Sequence, residues 1–174
     1  MDKKRGFAIC EGVGEVPYAE DVKIPQRATK LSAGYDCYAP YGFALYPNEW
    51  TKIDTGLKAY MQKGEVLLAF PRSSLGFKYF CRLANTIGVI DADYYDNPQN
   101  EGQIAIELRN EGTVPFTIEK GQAIAQFIFV PFLLADGDSF EQGADRSGGF
   151  GSTDKKPQFE HRTAPVYRHQ DGWK

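Results

Sequence analysis

The chain has 174 residues, 42% hydrophobic and 14% aromatic, with a formal net charge of −3, enough for one core and little for a second domain. Residues 154–174 hold five cations against three carboxylates, a balance of +2, so the remainder carries −5. An acidic body offers no counterion-releasing surface, which argues against DNA or RNA binding as the main activity. The patch after Met1-Asp2-Lys3-Lys4-Arg5 is too short for a signal sequence and no apolar run reaches membrane length, so a soluble, cytoplasmic protein is expected.

Two further counts narrow the chemistry. Cys10, Cys37 and Cys81 are odd in number and lack a CxxC pair, so they read as reduced, buried thiols rather than a disulfide framework or a zinc site. The two histidines, His161 and His169, fall in the last stretch. A site in the body of the domain therefore has no imidazole, and a carboxylate must act as base.

In chain order, Ser32-Ala33-Gly34-Tyr35-Asp36 reads as a turn entering a strand, with Gly34 supplying unusual dihedrals. Val66 to Phe70 reads as a strand. It runs into Phe70-Pro71-Arg72-Ser73-Ser74-Leu75-Gly76, where a cation and two hydroxyls suit phosphate oxygens as well as they suit a solvated turn. Asn85 to Tyr94 has a hairpin character and carries Asp91 and Asp93 at a spacing that shares a strand face. Such acids serve a general base or a hard cation, or merely keep an edge strand soluble.

Gln103 to Leu108 alternates cleanly, with Ile104, Ile106 and Leu108 on the inward side. Val114 to Ile118 is similar, and Ala123 to Leu134 reads as a buried strand interrupted or bent near Pro131. Recurrent short apolar runs without a 3.6 period predict a mainly β sandwich or barrel. Beyond it, Gly137 to Thr153 is rich in Gly, Ser and Asp and carries Arg146 and Phe150. This is either a flexible linker or a lid whose backbone closes on phosphates.

Taken together and in order, these segments resemble the five motifs of the trimeric dUTPase family. They are Ala33-Gly34-Tyr35-Asp36; Pro71-Arg72-Ser73-Ser74-Leu75-Gly76; Asn85 with Gly88-Val89-Ile90-Asp91-Ala92-Asp93-Tyr94; Gly121-Gln122-Ala123-Ile124-Ala125-Gln126; and Arg146 with Gly148-Gly149-Phe150-Gly151-Ser152-Thr153. The resemblance implies a distorted β jelly roll of the β-clip type, assembled as a homotrimer with the C-terminal arm exchanged between subunits. In domain terms it implies a core over 1–136, an arm over 137–153 and a flexible tail over 154–174.

The implied reaction is hydrolysis of dUTP to dUMP and pyrophosphate, which keeps uracil out of DNA and supplies dUMP. Asp91 would act as general base for water attacking the α-phosphorus in line. Arg72, Ser73 and Ser74 would bind phosphates, with Gln126 supporting them. Asn85, Gly88 and Ile90 would line the uracil site, and Tyr94 would pack on the deoxyribose. Phe150 would stack on uracil while Arg146, Gly151, Ser152 and Thr153 close over the γ-phosphate. Mg²⁺ would ride on the phosphates, with Asp36 reaching its waters.

The sequence departs from the family pattern in three places. Residues 95–101 are longer than a short turn and contain Asn97-Pro98, which predicts a protruding loop able to meet a protein partner. One residue, Ser147, separates Arg146 from Gly148, where the family commonly has two, and the tail after Thr153 is long. The alternatives are a dCTP deaminase of the same fold and a non-catalytic binding module; the run from Gly88 to Tyr94 favours the hydrolase over the first.

Overall fold

The computed structural model describes residues 3–12, 19–143 and 146. Ser147, Phe150, Gly151, Ser152, Thr153 and the tail lie outside the described residues. Among the described residues twelve strands follow one another: β1 (Gly6–Ile9), β2 (Gln26–Arg27), β3 (Tyr35–Tyr38), β4 (Phe43–Leu45), β5 (Trp50–Asp54), β6 (Leu57–Tyr60), β7 (Glu65–Pro71), β8 (Cys81–Leu83), β9 (Gly88–Asp91), β10 (Ala105–Asn110), β11 (Phe116–Ile118) and β12 (Ala123–Pro131). A single α-helix among the described residues, α1 (Ser73–Tyr79), separates β7 from β8.

All pairings are antiparallel. The largest sheet has the order β2-β3-β12-β7-β9, beside a three-stranded sheet β5-β10-β8 and two-stranded sheets β1-β6 and β11-β4. This is a distorted β jelly roll. Its core is built from the inward positions of facing strands, where Leu45, Ile53, Leu57, Leu67, Leu108 and Phe127 are almost wholly removed from water. Phe7 closes one end, its ring 5.6 Å from Tyr35 and 5.3 Å from Phe129, which is the range of favourable aromatic pairing.

The alternation over 103–108 appears as expected: Ile104, Ile106 and Leu108 are all buried. The strand itself is displaced toward the C-terminus, because Ile104 spends its backbone on Thr55 and Leu57 before the ladder with β5 begins. β7 matches the expected strand within a residue, β11 is the C-terminal part of the expected 114–118 run, and β12 stops at Pro131, which has no N–H for a continuing ladder. Asn110 lies fully buried at the end of β10. Its amide donates to the carbonyls of Leu45 and Val114, and its Oδ1 accepts from Gly112 N, tying the loop after β10 to the end of β4.

Two local expectations are corrected. Asn85 to Tyr94 is no hairpin: β8 pairs with β10, while β9 crosses to pair with β7 at the edge of the large sheet. The acids do not share a strand face either, since Asp91 ends β9 and Asp93 lies in a one-turn 3-10 helix over Ala92–Tyr94. Residues 95–101 do not protrude. Lys58, nine-tenths buried on β6, donates to Asp96 Oδ1 at 2.6 Å and Glu101 Oε2 at 3.2 Å, and Asn97 is buried at 3% exposure. No helix among the described residues is long and apolar enough to cross a membrane.

Candidate active site

The register of the large sheet sorts the singled-out residues into two groups. On β12, Gln126 lies opposite Asp36 of β3 on one side and Phe70 of β7 on the other. Its Nε2 donates to the Pro71 carbonyl at 3.3 Å. Arg72 follows in extended conformation, directly before α1, with no side-chain cap of its own. Its guanidinium instead pairs with Asp36. Ser73 and Ser74 are exposed on the first turn, which Leu75 anchors in the core.

Gly34 belongs to this end for a different reason from the one expected. Its backbone has an ordinary φ, but a Cβ there would stand 2.5 Å from Gln126 Oε1. The residue keeps space for the glutamine; it does not relieve backbone strain. Asp36, nearly buried and facing a guanidinium, is a held carboxylate rather than a free one. Among the described residues no group of three or more His, Cys, Asp or Glu is placed to hold a metal ion.

The second group surrounds β9. Gly88 packs so closely on β7 that a Cβ would lie 3.0 Å from Ala69 Cβ, and it has Asn85 Nδ2 within 3.9 Å of the same point. Because β9 has a partner on one side only, alternate backbone N–H and C=O groups on its other side are left for a ligand. Asp91 stands at its end. Arg146 donates to Asp91 Oδ2 at 2.5 Å and to Asp93 Oδ1 at 2.9 Å, and its guanidinium carbon lies 5.5 Å from the centre of the Tyr94 ring.

Tyr94 is buried at 7% exposure. Its hydroxyl accepts from Asn100 Nδ2 at 2.7 Å and donates to the Gln103 carbonyl at 3.1 Å. These two partners escaped the reading of the sequence, where Asn97-Pro98 signalled only a loop. The hint available was a lone Lys58 inside an apolar strand and, distant in sequence, two acids bracketing the loop.

The two groups do not meet within one chain. Asp91 lies opposite Val66, whereas Arg72 follows Pro71 at the other end of β7. Six residues of extended strand separate them by roughly 20 Å, farther than an Arg and an Asp side chain reach together. The structure thus joins Asp36, Arg72 and Gln126 at one end and Asn85, Gly88, Asp91, Tyr94 and Arg146 at the other.

Comparison with known proteins agrees with the motif order. The family model for dUTPase matches residues 20–154. A deoxyuridine 5'-triphosphate nucleotidohydrolase of Lactococcus lactis is 49% identical over 151 residues, spanning 87% of this chain and 98% of that protein. The solved structure of a dUTPase from Streptococcus mutans superposes with a TM-score of 0.65 at 39% identity, covering 76% of this chain and 99% of that one. A mutant dUTPase from phage phi11 of S. aureus, described with a coordinated structural Mg(II) ion, shares the fold at 20% identity, with a TM-score of 0.61 over 80% of this chain and 98% of that one. The chain belongs to the dUTPase family.

Proposed function

We propose that this chain is a dUTP diphosphatase whose site is completed by residues of more than one copy. The reaction is hydrolysis of dUTP to dUMP and pyrophosphate, which removes a precursor of uracil in DNA and supplies dUMP. The observation that carries the reading is the separation of Asp91 from Arg72 along β7: the base and the phosphate cation serve one substrate only if they come from different subunits. Large exposed side chains support an assembly, among them Phe77 at 87%, Phe80 at 66% and Leu31 at 95% exposure. A homotrimer, with the 137–153 arm crossing between subunits over the 1–136 core, is the arrangement proposed.

Asp91 takes a proton from the attacking water onto a carboxylate oxygen, and the new bond forms at the α-phosphorus as the bond to the bridging oxygen breaks. Ser73 donates toward that departing oxygen, while Arg72 and Ser74 hold phosphate oxygens through charge-assisted and neutral hydrogen bonds. Gln126, kept in place beside Gly34, orders the phosphates and the water. Arg146 lies on Asp91 in this structure, so it must release the base as it moves with Gly151, Ser152 and Thr153 onto the γ-phosphate.

Uracil presents an acceptor at its 4-oxo group and a donor at N3. The open edge of β9, at Gly88 and Ile90 with Asn85 beside it, offers backbone groups of both kinds, and cytosine would leave them mismatched. Tyr94 forms the wall against the deoxyribose, and Phe150 stacks over the base.

A metal fits as Mg²⁺ carried by the triphosphate. A single carboxylate already held by a guanidinium suits a water of the ion better than the ion itself. When bound, Mg²⁺ neutralises phosphate charge in the transition state. The test is pyrophosphate release with Mg²⁺ from dUTP, dCTP, dTTP and UTP in parallel. Release from dUTP alone is expected; ammonia release from dCTP would instead indicate a deaminase, and no turnover of any of them a binding module.

A further inference from the structure

We infer that Asn100, in the segment 95–101, is a positioning residue that sets the Tyr94 ring and with it the discrimination between deoxyribose and ribose. The inference rests on the reading of Tyr94 as the wall of the sugar site, and it gives that segment a task inside its own subunit.

The identity of the donor is fixed by the surrounding bonds. Asn100 Oδ1 accepts from Gly102 N at 3.1 Å, so the other end of the amide, facing the phenol at 2.7 Å, is the NH₂ group. The Tyr94 hydroxyl then has one use for its own proton, the Gln103 carbonyl at 3.1 Å. Donor and acceptor on either side hold the phenol oxygen, and a ring held at its tip cannot tilt about its Cα–Cβ bond.

Asn100 is itself held from both sides. Its N donates to the Asn97 carbonyl at 3.2 Å and its own carbonyl accepts from Gln103 N at 2.9 Å. The segment closes on itself where Asp96 N donates to the Glu101 carbonyl at 3.1 Å, and it is fastened to β6 by Lys58. The Glu101 carboxylate also accepts from Glu11 N and Gly12 N, both at 2.8 Å. At the junction, Gly102 has φ +75 and a Cβ there would stand 2.1 Å from the Tyr94 carbonyl oxygen, so the chain turns back against Tyr94 as closely as a glycine allows. Lys58, Asp96, Asn100, Glu101 and Gly102 thus form a strap that reaches the sugar wall through the Asn100 amide.

Rejecting a 2'-hydroxyl by shape depends on the wall staying where it is. A ring free to move a fraction of an ångström admits the extra oxygen, while dUTP loses little. The change that isolates the donor is Asn100→Asp. It keeps the shape and the Oδ1 cap on Gly102, but it sets two acceptors competing for one phenol proton.

The experiment measures kcat and KM for dUTP and for UTP in wild type, Asn100→Asp, Tyr94→Phe and the double variant, with Tyr94→Ala as reference. Asn100→Asp should lower the dUTP-over-UTP ratio of kcat/KM roughly fivefold, the worth of one hydrogen bond, chiefly through a lower KM for UTP. Tyr94→Phe should do the same, and the double variant should fall no further than either single one. An unchanged ratio in folded Asn100→Asp, or additive losses in the double variant, overturns the inference. If Asn100→Asp does not fold, Tyr94→Phe decides, because it deletes the same bond with the ring retained: full selectivity there overturns it too. Wild type that discriminates, loses discrimination in Tyr94→Ala and keeps it in Asn100→Asp defeats the positioning role alone. Wild type indifferent to the 2'-hydroxyl overturns the sugar-wall reading and this inference with it.

Discussion

If the site draws Asp91 and Arg72 from different subunits, two inactive variants should rescue one another. Asp91→Asn lacks the base and Arg72→Ala lacks the phosphate cation, and each alone should show almost no turnover. Along β7 the two positions are roughly 20 Å apart, so no rearrangement short of unfolding the strand brings them together within one chain. When the two variants are co-expressed at equal levels with one shared affinity tag, so that every assembly is recovered whatever its composition, each site samples its base and its cation independently. Half the chains carry an intact Asp91 and half an intact Arg72, so about a quarter of the sites are complete in a freely mixed symmetric assembly. The assay is pyrophosphate release from dUTP per mole of chain, against wild type and against each variant alone. Recovery near a quarter supports the shared site. Mixed assemblies no more active than the separate variants would refute the reasoning and return the whole reaction to one subunit.

Three further outcomes follow from packing and burial. Gly34→Ala places a methyl 2.5 Å from Gln126 Oε1; the far end of a flexible side chain yields, so the melting temperature should barely change while dUTP turnover falls on the order of ten- to a hundredfold, and normal turnover would remove Gln126 from the site. Asn110→Ala removes a fully buried amide and strips partners from the Leu45 and Val114 carbonyls and the Gly112 N–H, which should destabilise the protein by about 2–4 kcal/mol in denaturant titrations; a loss below about 0.5 kcal/mol would contradict this. Burial raises the thiol of Cys10 to about 11 and those of Cys37 and Cys81 to about 12, from an ordinary 9.0. Raised values favour the folded state below the ordinary thiol range and lose that contribution as pH climbs from 9 toward 12. The native protein at pH 8 should therefore resist a thiol-labelling disulfide reagent at all three positions until unfolded, and fast labelling would contradict the burial.

What could be read from the sequence and what could not divide along physical lines. β7 and β10 were legible because one face is buried and the other is not, so their side chains alternate. β1, β3, β4, β5 and β6 are at most five residues long, too short for a clear period, and their pairing is set by distant partners, as Gly6 opposite Tyr60 illustrates. α1 has too few residues for a helical period and contains Gly76. The candidate site residues stand out in the sequence as an ordered set of motifs, but the Asp36–Arg72 pair and the distance from Arg72 to Asp91 depend on strand register, which no local pattern carries. The segment 95–101 misled for a related reason: Asn97-Pro98 marks a turn, and whether a turn projects or folds back depends on Lys58, far away in the chain.

The open edge of β9 carries a second burden. A strand with one open edge, bearing exposed Val89 and preceded by exposed Ile87, invites a foreign strand to add to it, and the usual protections, a lysine or a proline, would block the backbone groups proposed to meet the base. What remains is the half-exposed carboxylate of Asp91 at the strand's end, with Asp93 just beyond. The acid proposed to activate water would thus also be the charge that discourages edge-to-edge aggregation. The solubility reading and the catalytic reading of that carboxylate describe one residue under two selective pressures.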